Sequence, residues 1–157
     1  MIVGSRVDDL KICNGWAYNP NTKKCYKNVR KRILFTEARR ECKMIARKNA
    51  RGALITKVDL ASVHNAQENN FLDGLMGPTR SAWLGAILFP NKQWGWTDGS
   101  EWDYTNWIKG EPNNVGNQED FVMMAWNGEW NDIPSRTQGQ KLEGYICQYL
   151  NINQFTG

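Results

Sequence analysis

The stretch Gly110-Glu-Pro-Asn-Asn-Val-Gly-Asn-Gln-Glu-Asp120 decides the reading of this chain, together with Trp130-Asn-Asp132 ten residues further on. A loop with almost nothing apolar to bury carries three carboxylates and four carboxamides around one rigid proline. Glu111, Asn113, Glu119, Asn131 and Asp132 together form an all-oxygen donor set, three anionic and two carboxamide, with no sulfur or imidazole. Such a set suits a hard cation, and Ca²⁺ accepts about 6–8 oxygens in flexible geometry. Without the cation the gathered carboxylates repel one another, so the loop is expected to loosen when the ion is removed.

The chain around this loop has 157 residues, enough for one compact core and too few for two ordinary ones. Hydrophobic residues make up 41% and charged residues 23%, and eight tryptophans supply large aromatic anchors, a globular composition and not a disordered one. The expected organisation is an N-terminal extension over 1–12, one domain over 13–150 and a tail over 151–157. No run approaches the roughly 20 apolar residues of a membrane span, and Met1-Ile-Val-Gly-Ser-Arg6 lacks the apolar core of a signal peptide, as expected of a mature secreted chain. Cys13, Cys25, Cys42 and Cys147 occur singly, and His64 is the one histidine. Zinc spacing is therefore absent, and two disulfides in an oxidising, extracellular compartment fit better. There is no Asn-x-Ser/Thr glycosylation site.

The net charge of +4 hides an asymmetry: residues 1–60 hold 15 Lys and Arg against 5 Asp and Glu, and residues 61–157 hold 5 against 11. A cationic half of this kind attracts nucleic acid, sulfated sugars or anionic lipid, or is simply a solvated face.

Along the chain, Cys13 to Lys27 places two short aromatic-containing segments around the turn Asn19-Pro-Asn21, with a cysteine near each end, as in a disulfide-closed hairpin. Leu34, Phe35, Ala38, Cys42, Ile45 and Ala46 then recur at helical spacing. That periodicity predicts a helix started near Thr36, with Glu37 in its first turn, Lys48 and Arg51 in its last and Gly52 just beyond. A short strand over 53–56 leads to a second predicted helix from about Asp59, as N-cap, to Leu72, with Leu60, Val63, Gln67 and Phe71 on one side. His64 lies one residue off that stripe and is assigned no function. From Ser81 on, short β-type runs alternate with turn residues, and Asn127-Gly128 between two aromatic-rich runs is the best hairpin signal. Two helices followed by short antiparallel strands imply an α+β fold. The long irregular region between about Pro90 and Asp120 reads as functional, because structureless loops beyond about 15 residues are uncommon in compact domains.

Glu111-Pro112-Asn113, Glu119 six residues on and Trp130-Asn131-Asp132 have the order and spacing of the sugar-binding calcium site of the C-type lectin domain, the calcium-dependent carbohydrate-recognition family, which this chain resembles. Trp83-Leu84-Gly85, Trp96-Thr97-Asp98-Gly99 and Tyr145-Ile146-Cys147 extend the resemblance, which covers roughly Cys13 to Tyr149. It implies a cis Glu111-Pro112 peptide that turns Glu111 and Asn113 toward the same ion, and it implies that Asp132 gives both a carboxylate and a backbone oxygen. One oxygen each from Glu111, Asn113, Glu119 and Asn131 then leaves about two positions of an eightfold shell for adjacent sugar hydroxyls. Each hydroxyl still donates to Glu111 or Glu119 and accepts from the amide of Asn113 or Asn131. In this family Glu-Pro-Asn goes with equatorial 3- and 4-hydroxyls, as in mannose, glucose and N-acetylglucosamine, or the equivalent pair in fucose, whereas Gln-Pro-Asp goes with galactose. Val115 sits where mannose- and fucose-binding relatives make a side contact. The resemblance also implies the disulfides Cys42–Cys147, joining the first helix to the last strand, and Cys13–Cys25, the N-terminal hairpin of the family's long form.

The chain departs from the family pattern in two places. The cysteines of a common loop disulfide are replaced by Phe121 and Ser135. The acidic residues of an auxiliary calcium site give way to Ala86-Ile-Leu-Phe-Pro90 and Asn114, with only Asp120 remaining, so one calcium is expected. The expected function is a secreted, non-catalytic lectin for mannose-type glycans. The alternative is a polyanion-binding module using Lys23, Lys24, Lys27, Arg30, Lys31, Arg32, Arg39, Arg40, Lys43, Arg47, Lys48 and Arg51, with the calcium loop structural. An enzyme is the weakest reading: paired cysteines leave no thiol nucleophile, and His64 has no visible Ser or Asp partner motif.

Overall fold

A computed structural model of the chain describes residues 12–45, 47–48, 54–55, 57–114, 120–134 and 141–151. Its centre is a sheet in which β2 (Lys24–Ile33), β10 (Leu142–Leu150), β6 (Ser81–Leu88), β8 (Phe121–Ala125) and β9 (Trp130–Ile133) lie side by side. β1 (Ala17–Asn19) pairs antiparallel with the start of β2 to close the N-terminal hairpin, and β7 (Trp94–Trp96) hangs from the end of β6. The sheet is mixed: β10 runs antiparallel to β2 but parallel to β6, with Gly144 opposite Ala82. It therefore differs from the expected set of short antiparallel strands, because two long strands, β2 with ten residues and β10 with nine, run through its middle. Gly144 sits where β10 passes closest to β2; a Cβ there would lie 2.5 Å from the Val29 carbonyl oxygen.

Helix α1 (Phe35–Lys43) buries Phe35, Ala38 and Cys42 against this sheet. Its first turn is held by Glu37, whose carboxylate accepts the backbone N–H of Leu34. The helix stops earlier than its periodicity predicts. Arg47–Lys48 (β3) pair instead with Leu54–Ile55 (β4), so Lys48 belongs to a small ribbon and not to a last helical turn; Arg51 and Gly52 lie outside the described residues.

The second helix is also shifted from its predicted place. Asp59 is not an N-cap: Asp59–Leu60 (β5) pair with Gln148 and Cys147 of β10, and the Asp59 carboxylate is taken by the Arg39 guanidinium at 3.1 and 3.2 Å. Helix α2 (Ala66–Met76) begins after Asn65, whose side chain accepts the N–H of Glu68 at 2.8 Å. Glu68 is fully buried and ties α2 to β2, receiving the Lys24 ammonium at 2.8 Å, the Tyr26 hydroxyl at 2.6 Å and the His64 N–H at 2.9 Å. Burial, followed by the charge of Glu68, pushes the Tyr26 phenol far above its usual range.

Two disulfides close the fold. Cys13–Cys25 spans the N-terminal hairpin, and Cys42–Cys147 joins α1 to β10 across 105 positions of sequence. Among the described residues no helix is long and apolar enough to cross a membrane.

Glu41 on α1 accepts hydrogen bonds from Lys31 of β2 and from the Tyr145 hydroxyl of β10. The Lys31 contact, then that of Tyr145, holds the Glu41 carboxyl below its usual range. A carboxyl depressed on folding stabilises above its unfolded pKa, and that stabilisation is lost as pH falls through the folded value. Urea midpoints measured from pH 7 downwards are therefore expected to differ between the native chain and Glu41→Gln at neutral pH, and to converge in acid below about pH 4. The difference is small, because both ends of the Lys31–Glu41 pair are partly in water.

Candidate functional site

The loop that follows β7 is carried on an aromatic floor. Trp102 lies against Trp96 with ring centroids 4.6 Å apart, and Trp94, Trp107 and Tyr104 pack around the same buried Trp130 cluster. Backbone bonds then dock the loop on β9: the N–H of Trp130 donates to the Asn106 carbonyl at 2.9 Å, and the N–H of Ile108 to the Trp130 carbonyl at 2.8 Å. The Trp130 indole is fixed from the other side by Asn69 of α2 at 2.8 Å, so α2 and the loop grip one residue between them. Gly110, with φ of +92°, turns the chain so that the N–H of Glu111 returns to the Ile108 carbonyl. This docking beside Trp130 is what brings residues 111–114 to Asn131 and Asp132.

The Glu111–Pro112 peptide is cis. Asp132 is fully buried, and its two carboxylate oxygens accept the backbone N–H groups of Asn113 at 3.3 Å and Asn114 at 2.7 Å. Asn114 takes the left-handed conformation, φ of +46°, that presents its N–H there. Glu111 folds back on the same turn, accepting the backbone N–H of Asn113 at 3.0 Å and its carboxamide at 3.3 Å. Next to Asp132 in β9, the side-chain oxygen of Asn131 is buried and, among the described residues, has no hydrogen-bond donor.

Four of the predicted ligands, Glu111, Asn113, Asn131 and Asp132, thus stand on two segments that the fold joins; Glu119 and Val115 lie outside the described residues. Among the described residues no three of His, Cys, Asp and Glu converge. That follows from the chemistry of the set, because two of its members are carboxamides and one of its three carboxylates belongs to Glu119. The Asn131 oxygen tests the fit to a cation. An acceptor shut off from water and from every donor costs about 1–3 kcal/mol unless something positive meets it, and a hard cation coordinates such an oxygen directly.

Sequence reasoning gave His64 no partners, yet the structure gives it two. Its Nδ1 lies 2.6 Å from Asp103 and its Nε2 2.9 Å from Ser100. The Ser100 hydroxyl also donates to Asp98 at 2.5 Å, and Asp98 receives Ser62 at 2.5 Å and Gln148 at 2.7 Å. Burial works against the charge on Asp98, but the bonds from Ser100 and Ser62 outweigh it and hold the carboxyl below its usual range. The Ser100 proton is committed to a carboxylate, so this chain of groups is a brace between the entry to α2 and the start of the long loop. No local signal reveals it, since the partners of His64 stand 36 and 39 residues away.

Residues 31–149 match the Lectin C-type domain family, and the chain belongs to it. Similar proteins include the ladderlectin of Oncorhynchus mykiss, 43% identical over 82 residues that cover 48% of this chain and 43% of that protein. The low affinity immunoglobulin epsilon Fc receptor of Mus musculus is 38% identical over 92 residues, covering 58% of this chain and 27% of the receptor. The chain spans under half the length of these two relatives. Among solved structures, the cow C-type carbohydrate-recognition domain of CD23, studied in the presence of a GlcNAc2Man3 oligosaccharide, superposes with a TM-score of 0.71 at 32% identity, covering 86% of this chain and 92% of that one. The fold is the α+β fold of C-type lectins, a family whose membership implies carbohydrate binding without catalysis and whose domains generally bind calcium.

Proposed function

We propose that the chain acts as a secreted lectin for mannose-type glycans, through one Ca²⁺ held by Glu111, Asn113, Glu119, Asn131 and Asp132. The observation that carries this reading is the buried Asn131 oxygen, which has no donor among the described residues, beside an Asp132 carboxylate that is already organised by the 111–114 turn. Bound there, calcium supplies a Lewis-acidic centre with coordination positions left over for two neighbouring hydroxyls.

The protein's share is to complete the hydrogen bonds of those hydroxyls. Each has a proton to give and a lone pair to accept with, and the pairs Glu111 with Asn113 and Glu119 with Asn131 offer one acceptor and one donor apiece. In the structure the Asn113 carboxamide donates to Glu111 across 3.3 Å at the surface, a long, exposed bond. A sugar hydroxyl placed between the two takes over both ends of it. Val115 is assigned the role of a side contact to the bound sugar. The two disulfides suit an oxidising, extracellular compartment.

A single shallow site of this kind binds a monosaccharide at about millimolar Kd, equivalent to roughly 4 kcal/mol, so useful avidity comes from linking several copies. Exchanging the donor and acceptor at the turn tests the assignment. Glu111→Gln with Asn113→Asp is expected to move preference from mannose to galactose in paired retention assays with millimolar calcium. Unchanged mannose preference in a folded double variant contradicts the role given to these two residues.

A further inference from the structure

The structure divides the cationic half of the chain into spent and exposed charges. Lys24 is half-buried on Glu68, Arg39 is bound to Asp59, and Lys31 is paired with Glu41. Arg30 and Arg32 of β2 are exposed and have no ion pair among the described residues. They are not scattered. Ile33 of β2 lies opposite Leu142, Gly144 of β10 lies opposite both Arg30 and Ala82, and Ser81 of β6 lies opposite Ala125. The register therefore puts Arg30, Arg32, Lys141 and Arg80 at one end of three neighbouring strands, β2, β10 and β6.

A shallow depression of about 390 Å³ opens there, lined by Arg30, Lys31, Arg32 and Glu143. Glu143, the one carboxylate among its lining residues, accepts the backbone N–H of Arg80 at 3.0 Å and keeps its charge, but it forms no ion pair with Arg30 or Arg32 among the described residues, and the cations around it outnumber it. Arg30 and Arg32 lie two residues apart along the strand, about 7 Å, and two strand spacings of sheet carry the rim about 10 Å further to Arg80. The candidate calcium site is elsewhere. Asn131 and Asp132 belong to β9, four strands from β2 in the sheet order and so roughly 19 Å away.

From this juxtaposition we infer that the rim formed by Arg30, Arg32, Arg80 and Lys141 is a second binding surface, independent of calcium, for a linear sulfated polysaccharide. A row of cations spaced along a strand end matches a flexible chain that carries fixed anions, and no interior pocket is required. Sulfate suits the planar guanidinium forks of three arginines, which bind two oxygens of one anion at once. A nucleic acid is the poorer fit. Single strands are held by aromatic side chains interleaved with the basic ones; here Tyr26 of β2 is fully buried, and the exposed Trp126 stands beside Arg80 at one end of the rim and not between its cations. Two disulfides and no free cysteine also place the chain where sulfated glycans are the polyanions met.

The test uses the intact chain on immobilised heparin in the presence of a calcium chelator, with elution at a series of salt concentrations. Retention is expected to persist in chelator and to fall linearly on a log–log plot against salt. Arg30→Gln/Arg32→Gln is expected to reduce that slope by about 2, and adding Arg80→Gln by about 1 more. Lys57→Gln/Lys92→Gln removes the same charge elsewhere and leaves the slope unchanged. Near-ultraviolet circular dichroism confirms that each variant is folded, independently of sugar binding. Equal losses in the two double variants overturn the rim assignment by reducing it to net charge. Retention abolished by chelator overturns its independence from calcium, and equal retention on desulfated heparin or on a single-stranded oligonucleotide overturns the sulfated glycan as the partner.

Discussion

Asp132→Ala is expected to abolish calcium-dependent sugar binding and to loosen the 111–114 turn at the same time. Asp132 is fully buried, and its carboxylate is the shared acceptor for two loop N–H groups, those of Asn113 and Asn114. Removing it leaves both donors without their partner, at a cost of about 1–3 kcal/mol each where water cannot reach them. It also withdraws one negative charge from a set that offers three. Groups that only orient a metal ligand typically cost about 10–100-fold in affinity when lost; a residue that both ligates and orients is expected to exceed that range. Asp132→Asn separates the two roles. It keeps an oxygen for one loop N–H but sets an amide NH2 against the other and loses the charge, so it is expected to lose about 1–3 kcal/mol of stability, less than Asp132→Ala, and to bind calcium far more weakly. Tryptophan fluorescence reads both effects, since Trp130 and Trp107 adjoin the site. Native calcium affinity in Asp132→Asn contradicts this account of the residue.

The second large effect concerns the bridge between α1 and β10. Cys42–Cys147 spans 105 positions, and both sulfurs are buried in the core beside Phe35 and Trp83. The chain-entropy model assigns a loop of this size about 4.7 kcal/mol, against about 3 kcal/mol for the 12-position loop of Cys13–Cys25. Typical domains have only about 5–15 kcal/mol in total. Cys42→Ala/Cys147→Ala is therefore expected to bring the domain close to unfolding at room temperature, whereas Cys13→Ala/Cys25→Ala leaves it folded with a lowered urea midpoint. Comparable midpoints for the two double variants contradict the view that loop length governs these bridges here. The expected loop cysteines are Phe121 and Ser135 in this chain. Phe121 stacks on Phe35 with centroids 4.1 Å apart, so at that position an aromatic contact with α1 stands where relatives commonly have a cysteine.

Much of this was legible because the signals were local. Glu111-Pro-Asn113 and Trp130-Asn-Asp132 each lie within three residues, and the β-type runs from Trp83 to Tyr145 form strands where their alternation and turn residues say they should. What was misread depends on partners distant in sequence. Asp59 looks like a helix cap to its neighbours, but Arg39 takes its carboxylate from 20 residues away and β10 takes its backbone from almost 90. The tail of the first predicted helix kept a helical spacing through Ala46, yet the pairing of Arg47–Lys48 with Leu54–Ile55 satisfies that backbone instead. His64 was set aside for the same reason, since Ser100 and Asp103 reach it only once the loop has docked. Within the site, the sequence names the oxygens but not their state. That Asn131 is left without a donor while Asp132 holds two is a property of the folded loop alone.

In the proposed function, a calcium ion held by Glu111, Asn113, Glu119, Asn131 and Asp132 is what binds the sugar. Retention of the native chain on immobilised mannose in millimolar calcium, followed by elution with chelator and run in parallel on immobilised galactose, tests it most directly. Calcium-dependent retention on mannose, release by chelator and no retention on galactose are expected. Retention on mannose that survives the chelator, or failure of a folded chain to bind mannose in calcium, contradicts it.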